Sequence, residues 1–365
     1  MKKKIWDVLI VGQGLAGCIL AHELSERGLS VLVVDKKNIG VTSSSIAAGI
    51  INPITGMRFV KSWRIDDFLP LARKTYKNLE KKLDTILWYD KTILRTIRLA
   101  EDENNWLLRT SYPDNKLYFG DLILGHDLPP KMHANAEIIK LAKIKNAAQV
   151  NVPLLIKVYR RFLRREKRMI YLETQTDTLH FFSDYTTLND IAARKIIFCE
   201  GERGRFNPFF NHLPFTPDKG ELIIAELPSW RFKDIVKDKF SIVPLPPDKK
   251  NEQLYWIGAT DSWVFDDETP TQEKRNHIES ELKKMLPGLS DNYFPKKHLA
   301  AIRPTVKDRR PFIGFSEQHK NLAVFNGFGT KGASLVPFWA AHFADVLTKN
   351  IEIDKDVDIK RFFSL

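Results

Sequence analysis

The sequence predicts an α/β fold in two domains. One carries a parallel sheet gathered from separate stretches of the chain, and the other is smaller, α+β, with an antiparallel sheet. Three observations predict it. An apolar run, Val8 to Val11, turns through Gly12-Gln13-Gly14-Leu15-Ala16-Gly17 into a helical pattern, then a second apolar run, Val31 to Val34, ending on Asp35. Far along the chain Leu322 to Phe325 runs into Asn326-Gly327-Phe328-Gly329-Thr330-Lys331-Gly332 and a helix-like stretch, Ala333 to Leu347. Between them lies a strand-rich block, 217–295, without the strand–helix–strand alternation of the ends.

The opening stretch is a Rossmann-like dinucleotide site. Gly12 lets the chain turn sharply out of its strand. Gly14 removes a side chain where a pyrophosphate approaches the backbone, and Gly17 lets the helix lie close to the sheet. Free N–H groups at the helix start, around Leu15 and Ala16, hold phosphate charge. Asp35, about 20 residues on, accepts hydrogen bonds from an adenosine ribose. The bland reading, a glycine-rich turn in some other α/β domain, lacks a reason for the acid at the second strand end.

A chain of 365 residues exceeds what one core usually serves. Composition is that of a globular protein, 43% hydrophobic and 28% charged, which excludes disordered and membrane-spanning classes. Two cysteines, Cys18 and Cys199, make no disulfide framework and read as small core residues of a cytoplasmic protein. Net charge is +12. The densest basic cluster, Lys157 to Arg168, reads as a solvated helix or loop face, with a nucleic-acid patch as the competing reading. Met1-Lys2-Lys3-Lys4 leads into the first strand and not into a signal peptide.

Taken in order, a strand spans about Asp7 to Val11. A helix spans Leu15 to Arg27 with Gly28 at its C-cap, and a strand spans Ser30 to Val34. Gly40 to Pro53 is rich in small side chains and suits close approach to a cofactor. Arg58 to Asp84 reads as helical. Thr92 to Leu99 and Trp106 to Arg109 read as strand pieces, and Pro129-Pro130 as a turn. Ala134 to Gln149 reads as a helix and Val152 to Val158 as a strand. Met169 to Thr174 and Leu179 to Ser183 read as hairpin members. Ala193 to Gly201 is a buried strand that returns to the nucleotide domain, and Phe206 to Phe215 a packed connector. Strands follow at Gly220 to Leu227, Ser241 to Pro244 and Leu254 to Ala259. Thr271 caps a helix from Gln272 to Met285, stopped by Leu286-Pro287-Gly288. His298 to Arg303 leads into Pro304-Thr305-Val306-Lys307-Asp308-Arg309-Arg310-Pro311-Phe312-Ile313-Gly314. No metal-ligand spacing and no nucleophile–base arrangement is present. Trp63 and Trp263 are pocket candidates, with a core position the plainer reading.

These motifs together resemble the FAD-dependent oxidoreductases of the D-amino-acid oxidase superfamily, with the glycine oxidase, sarcosine oxidase and tRNA-modifying amine-oxidising branches most similar. The resemblance covers essentially the whole chain. It implies that Gly12, Gly14, Leu15, Ala16, Gly17, Asp35 and Lys36 hold the ADP part of FAD, and that Ser43, Ser44, Ser45, Ala47, Ala48 and Gly49 lie along the flavin and its phosphates. It further implies that Gly201 closes the adenine side and that Gly327, Gly329, Thr330, Lys331 and Gly332 face the pyrimidine side of the ring. Cys199-Glu200 before Gly201 departs mildly from the family pattern. Arg303-Pro304, with Asp308, Pro311 and Gly314, resembles the family's arginine-proline signature, whose arginine grips a substrate carboxylate. No cysteine stands in the late region for a covalent flavin link. The implied division is 1–85, 150–216 and 296–365 for the FAD-binding domain, and 86–149 and 217–295 for the substrate domain.

The expected chemistry is oxidation of the C–N bond of a small amine or amino acid by hydride transfer to flavin N5, followed by hydrolysis of the imine. Arg303 would bind the substrate carboxylate, and Lys331 with its helix start would stabilise the reduced flavin anion. Oxygen or another acceptor would reoxidise the flavin. Two alternatives stay open: oxidation of a carboxymethylaminomethyl group on a modified tRNA nucleoside, and a flavin-binding interaction protein without turnover.

Overall fold

The computed structural model describes residues 4–37, 40–123, 140–173, 176–246, 253–286 and 289–363. The chain opens with β1 (Ile5–Val11), α1 (Leu15–Glu26) and β2 (Val31–Asp35). Short strands β3 (Ile50–Ile51), β4 (Ile54–Thr55) and β5 (Val60–Lys61) precede α2 (Ile65–Leu83), β6 (Trp88–Ile97) and α3 (Ala100–Ser111). Then come β7 (Phe119–Ile123), β8 (Lys140–Val150), α4 (Val152–Arg165), β9 (Met169–Tyr171), β10 (Leu179–Phe181), β11 (Thr186–Leu188) and β12 (Ile191–Phe198). The last third holds β13 (Asp218–Glu226), β14 (Ile235–Lys237), β15 (Ser241–Pro244), β16 (Leu254–Gly258), α5 (Gln272–Met285), β17 (Phe294–Arg303), β18 (Phe312–Phe315), β19 (Leu322–Asn326) and α6 (Gly332–Lys349).

Two large sheets organise the described residues. In the first, β9, β2, β1, β12 and β19 lie side by side and parallel. β11 runs antiparallel to the start of β12, and β18 antiparallel to β19. Such a sheet is covered on both faces, which is why Val8–Val11 and Val31–Val34 are near-continuous apolar runs. On one face α1 packs against α6, and α6 against α2. On the other, Leu9, Val11, Phe198, Phe210, Phe312 and Leu322 form a separate apolar cluster.

The second sheet runs β17-β13-β16-β15-β14-β6-β8-β3, with β7 on β8. It is antiparallel except where β14 meets β6. Period-two alternation gives it two different faces. On β13, Leu222 joins the main core shared with the first sheet, whereas Ile223 and Ala225 pack with Ile278 and Leu282 of α5. The face carrying Leu222 therefore looks toward the nucleotide-binding sheet.

Several local expectations are corrected. Val152–Arg165 is a helix and not a strand. Asn151 caps it by accepting from the Leu154 N–H at 3.1 Å, and the buried Val152, Leu155, Ile156, Tyr159 and Leu163 repeat at helical spacing. Trp106–Arg109 lies in α3, whose first turn carries Glu101, Asp102 and Glu103 against the positive end of the helix dipole. Within 134–149, residues 140–149 are strand β8, which pairs with β6 and β7; 134–139 and the Pro129-Pro130 turn lie outside the described residues. Met169–Tyr171 is no hairpin member, since it lies parallel to β2, whereas Leu179–Phe181 forms the expected hairpin, with β11.

α1 buries a histidine. His22 is 4% exposed, and burial, with Lys82 nearby, pushes its pKa down to about 4. The unfolded chain takes up this proton near pH 6.5 and the folded chain only near 4. Stability is therefore expected to fall as pH drops through that window, by about 3 kcal/mol from this residue. Urea unfolding of the parent and of His22→Gln at pH 7 and pH 4.5 checks it. The substitution should flatten the pH dependence, and an unchanged slope would contradict the assignment.

Candidate functional site

One cavity of about 900 Å³ links the first turn of the chain to the inner face of the second sheet. It is lined by Gly12–Ala16, Asp35, Lys36, Ser43–Ile50, Cys199–Arg203, Arg303, Pro304, Asn326, Phe328–Thr330 and Gly332. From the second sheet it takes Asp218, Gly220, Leu222, Trp256, Gly258, Thr260 and Lys237. The two ends of the polypeptide thus meet at one opening. Three of the sequence-derived residues stand just behind this lining. Gly17 packs α1 onto the first turn, where a Cβ would stand 2.0 Å from the Gly12 carbonyl oxygen. Gly327 packs on Phe312, and Lys331 flanks the lining residues Thr330 and Gly332.

Gly12 carries the tight turn. Its φ is +101°, and an added Cβ would lie 2.4 Å from the Cys199 carbonyl oxygen. No side chain of a larger residue fits there. Gly14 is the N-cap of α1, with no side-chain cap of its own and no acid in the first turn, so apart from the Leu15 N–H, which a serine holds and which is therefore not free as the motif suggested, the helix start is left for an anion. The Ser44 hydroxyl accepts from the Leu15 N–H at 3.2 Å and ties the small-residue loop to this helix start. Ser43–Ser45 form a turn held by Thr42–Ser45 hydrogen bonds and do not begin a helix.

The Asp35 end of the cavity is more elaborate than the motif suggests. Asp35 Oδ1 accepts from the Lys36 N–H at 2.9 Å and Oδ2 from the Gln13 N–H at 3.2 Å. Arg160, a member of the basic cluster, reaches in from α4 to within 3.4 Å of Asp35 Oδ2 and donates to the Gln13 side chain. Burial still raises the Asp35 pKa, opposed by Lys36, Arg160 and Gln13. Arg168 likewise turns inward, donating to the Val31 carbonyl at 3.1 Å. Two members of the cluster therefore depart from the solvated face. Arg160 and Arg168 turn inward, while Lys157, Arg161, Arg164, Arg165 and Lys167 are exposed, as a solvated face would be. Glu200, the residue that departs from the family pattern, also lines the cavity. Burial raises its pKa, opposed by the Asn207 amide, which donates at 2.8 Å.

The wall opposite the first turn comes from the second sheet. Trp256, which the sequence did not single out, projects into the cavity and donates its indole N–H to the Ile46 carbonyl at 2.9 Å. Lys237 is pushed down to about 8 by burial and by its cross-strand neighbour Arg95. Arg303, the last residue of β17, sits opposite Asp218 and is ion-paired with it at 2.5 Å, with Nη2 donating to the Thr260 carbonyl at 3.1 Å. Lys331 has a lowered pKa, from burial and from Arg309 and Arg310 nearby.

Other candidates lie elsewhere. His298 is on the opposite face of β17, 3.0 Å from Glu221. Trp63 stacks on Trp339 at 5.9 Å with Arg310 over its ring, and Trp263 is 68% exposed. Asp308 holds Arg361 at 2.8 Å. Cys18 and Cys199 are free and buried, and burial pushes the Cys18 thiol up to about 12. Among the described residues no cluster of His, Cys, Asp and Glu fits a metal ion, and no helix is long and apolar enough to cross a membrane.

Comparison with known proteins agrees with this geometry. Glycine oxidase of Pseudomonas aeruginosa is 23% identical over 365 residues, covering 93% of this chain and 94% of its own length. A tRNA 5-methylaminomethyl-2-thiouridine biosynthesis bifunctional protein of Legionella pneumophila is 22% identical over 94% of this chain and 54% of its own length. The crystal structure of glycine oxidase from Bacillus cereus superposes with a TM-score of 0.78 at 21% identity, covering 95% of this chain and 96% of that one. The family model for DAO, FAD dependent oxidoreductase, matches residues 7–346. A helix start without an acid in its first turn, a tight glycine turn and a cavity-lining acid at the second strand end fit what a dinucleotide such as FAD requires. This chain belongs to the DAO family of FAD-dependent oxidoreductases.

Proposed function

We propose that this chain oxidises the C–N bond of a small amine or amino acid of the glycine, sarcosine or D-amino-acid type, in the cytoplasm. The observation that carries the reading is the course of the cavity from the Gly12 turn to the Arg303 wall. FAD, when bound, supplies the hydride acceptor at N5, and the resulting imine is hydrolysed by water. Arg303 binds the substrate carboxylate and so fixes the α-carbon's direction. Trp256 walls the cavity and holds Ile46 in the cofactor-facing loop. Lys331 and the turn at Gly329 to Gly332 supply positive potential to the pyrimidine side.

The test is anaerobic bleaching of the purified yellow protein by glycine, sarcosine, proline and other amino acids. Bleaching by a carboxylated amine is expected. A fully flavin-loaded protein that no amine bleaches would instead be a binding module. A second reading, an amine carried on a tRNA nucleoside, draws on the net charge of +12 and on the Legionella relative. It requires tRNA binding that weakens steeply with salt.

A further inference from the structure

We propose that Asp218 is a specificity-determining residue that makes the site select zwitterions, in which a protonated nitrogen accompanies the carboxylate, over plain carboxylates. This rests on the amine-oxidation reading above. The pair it forms is built into the fold. Asp218 opens β13, Arg303 closes β17, and the two face each other in register. Oδ2 is 2.5 Å from Arg303 Nη1, while Oδ1 accepts the Ser262 N–H at 3.1 Å. The guanidinium lies over Gly220, where a Cβ would stand 1.8 Å from Nη2. Both side chains line the cavity, and Asp218 is 5% exposed. The neighbouring Lys219 points to the other face, toward Glu221 and Asp267, and so does not neutralise Asp218 from within the cavity.

The consequence is electrostatic. An unpaired arginine would attract any small carboxylate. Here its charge is already balanced by a carboxylate in contact with it. A ligand carboxylate on the remaining donors of Arg303 comes close to Asp218, and like charges in a poorly solvated wall repel strongly. A ligand that brings an ammonium next to its carboxylate satisfies both partners. Selection against the wrong ligand thus comes from a repulsive element as well as an attractive one.

The experiment uses the FAD-loaded protein and two ligands of similar shape. 2-Aminoisobutyrate has no α-hydrogen to lose, and isobutyrate lacks the nitrogen. Binding is read from the perturbed visible spectrum of the flavin under anaerobic conditions. The parent should bind 2-aminoisobutyrate at least about tenfold more tightly than isobutyrate. In Asp218→Asn the preference should collapse or invert, isobutyrate tightening by about tenfold as Arg303 is released. Equal affinities in the parent, no binding of either ligand, or a substitution that shifts both ligands alike would overturn the proposal. The parent's own ratio decides if the variant does not fold. Bleaching by glycine or sarcosine is scored separately. A zwitterion preference without bleaching removes the oxidation reading alone, and bleaching without the preference removes only this one.

Discussion

Gly12→Ala is expected to give a colourless protein. The residue stands at φ +101°, where a side chain is strained, and its Cβ would lie 2.4 Å from the Cys199 carbonyl oxygen and 2.9 Å from the carbonyl carbon. Those atoms are backbone at the end of a central strand, so they do not move aside cheaply. The turn must open, and the α1 start moves away from the place assigned to the pyrophosphate in the proposed reading. Flavin affinity should fall on the order of 100-fold, about 3 kcal/mol. Fluorescence titration of the apoprotein with FAD measures it. Gly28→Ala is the control. It has φ +83° but nothing within 4 Å of its Cβ. That variant should lose some stability and keep its colour; a pale Gly28 variant or a yellow Gly12 variant would break the argument.

Arg303→Ala is expected to lower kcat/KM for a carboxylated amine by a factor on the order of 100 to 1000 while FAD stays bound. Two effects contribute. The fork that orients the carboxylate is lost, and Asp218 is left buried without its partner. The double variant Arg303→Ala, Asp218→Asn separates them. Removing the orphaned charge should restore thermal stability without restoring turnover. Arg303→Lys should rescue little, because an ammonium lacks the planar fork seated over Gly220. Equal activity on a carboxylated amine in parent and Arg303→Ala would remove the assignment.

How much of this was legible beforehand depends on range. The glycine turns, Asp35 and the late strand–turn–helix are local signals tied to a ligand's shape, and they read directly. α4 misled because Val152, Ile156 and Val158 suggest a strand. The cap at Asn151 and the helical spacing of the buried residues carried the opposite message, and packing decided. β8 misled the other way: Leu141 and Ile144 fit a helix until pairing with β6 and β7 is known. The site shows the same limit. Arg303 was visible from the proline beside it. Asp218 is 85 positions away and becomes its partner only through strand register. Nothing local marks Trp256, and Arg160 stood out only as one of a basic cluster, since each matters for what it reaches.

The central strands of the nucleotide sheet come from residues 5–11, 31–35, 191–198 and 322–326, with α6 closing over α1. During synthesis, β1 and β2 can pair early, but their outer neighbours β12 and β9 follow only in the middle of the chain, and β19 later still. The nascent chain therefore holds unpaired apolar strand edges until β9, β12 and β19 have been made, a state that favours chaperone capture and aggregation. The cavity is complete only once Phe328–Thr330 and Gly332 have joined the Gly12 turn.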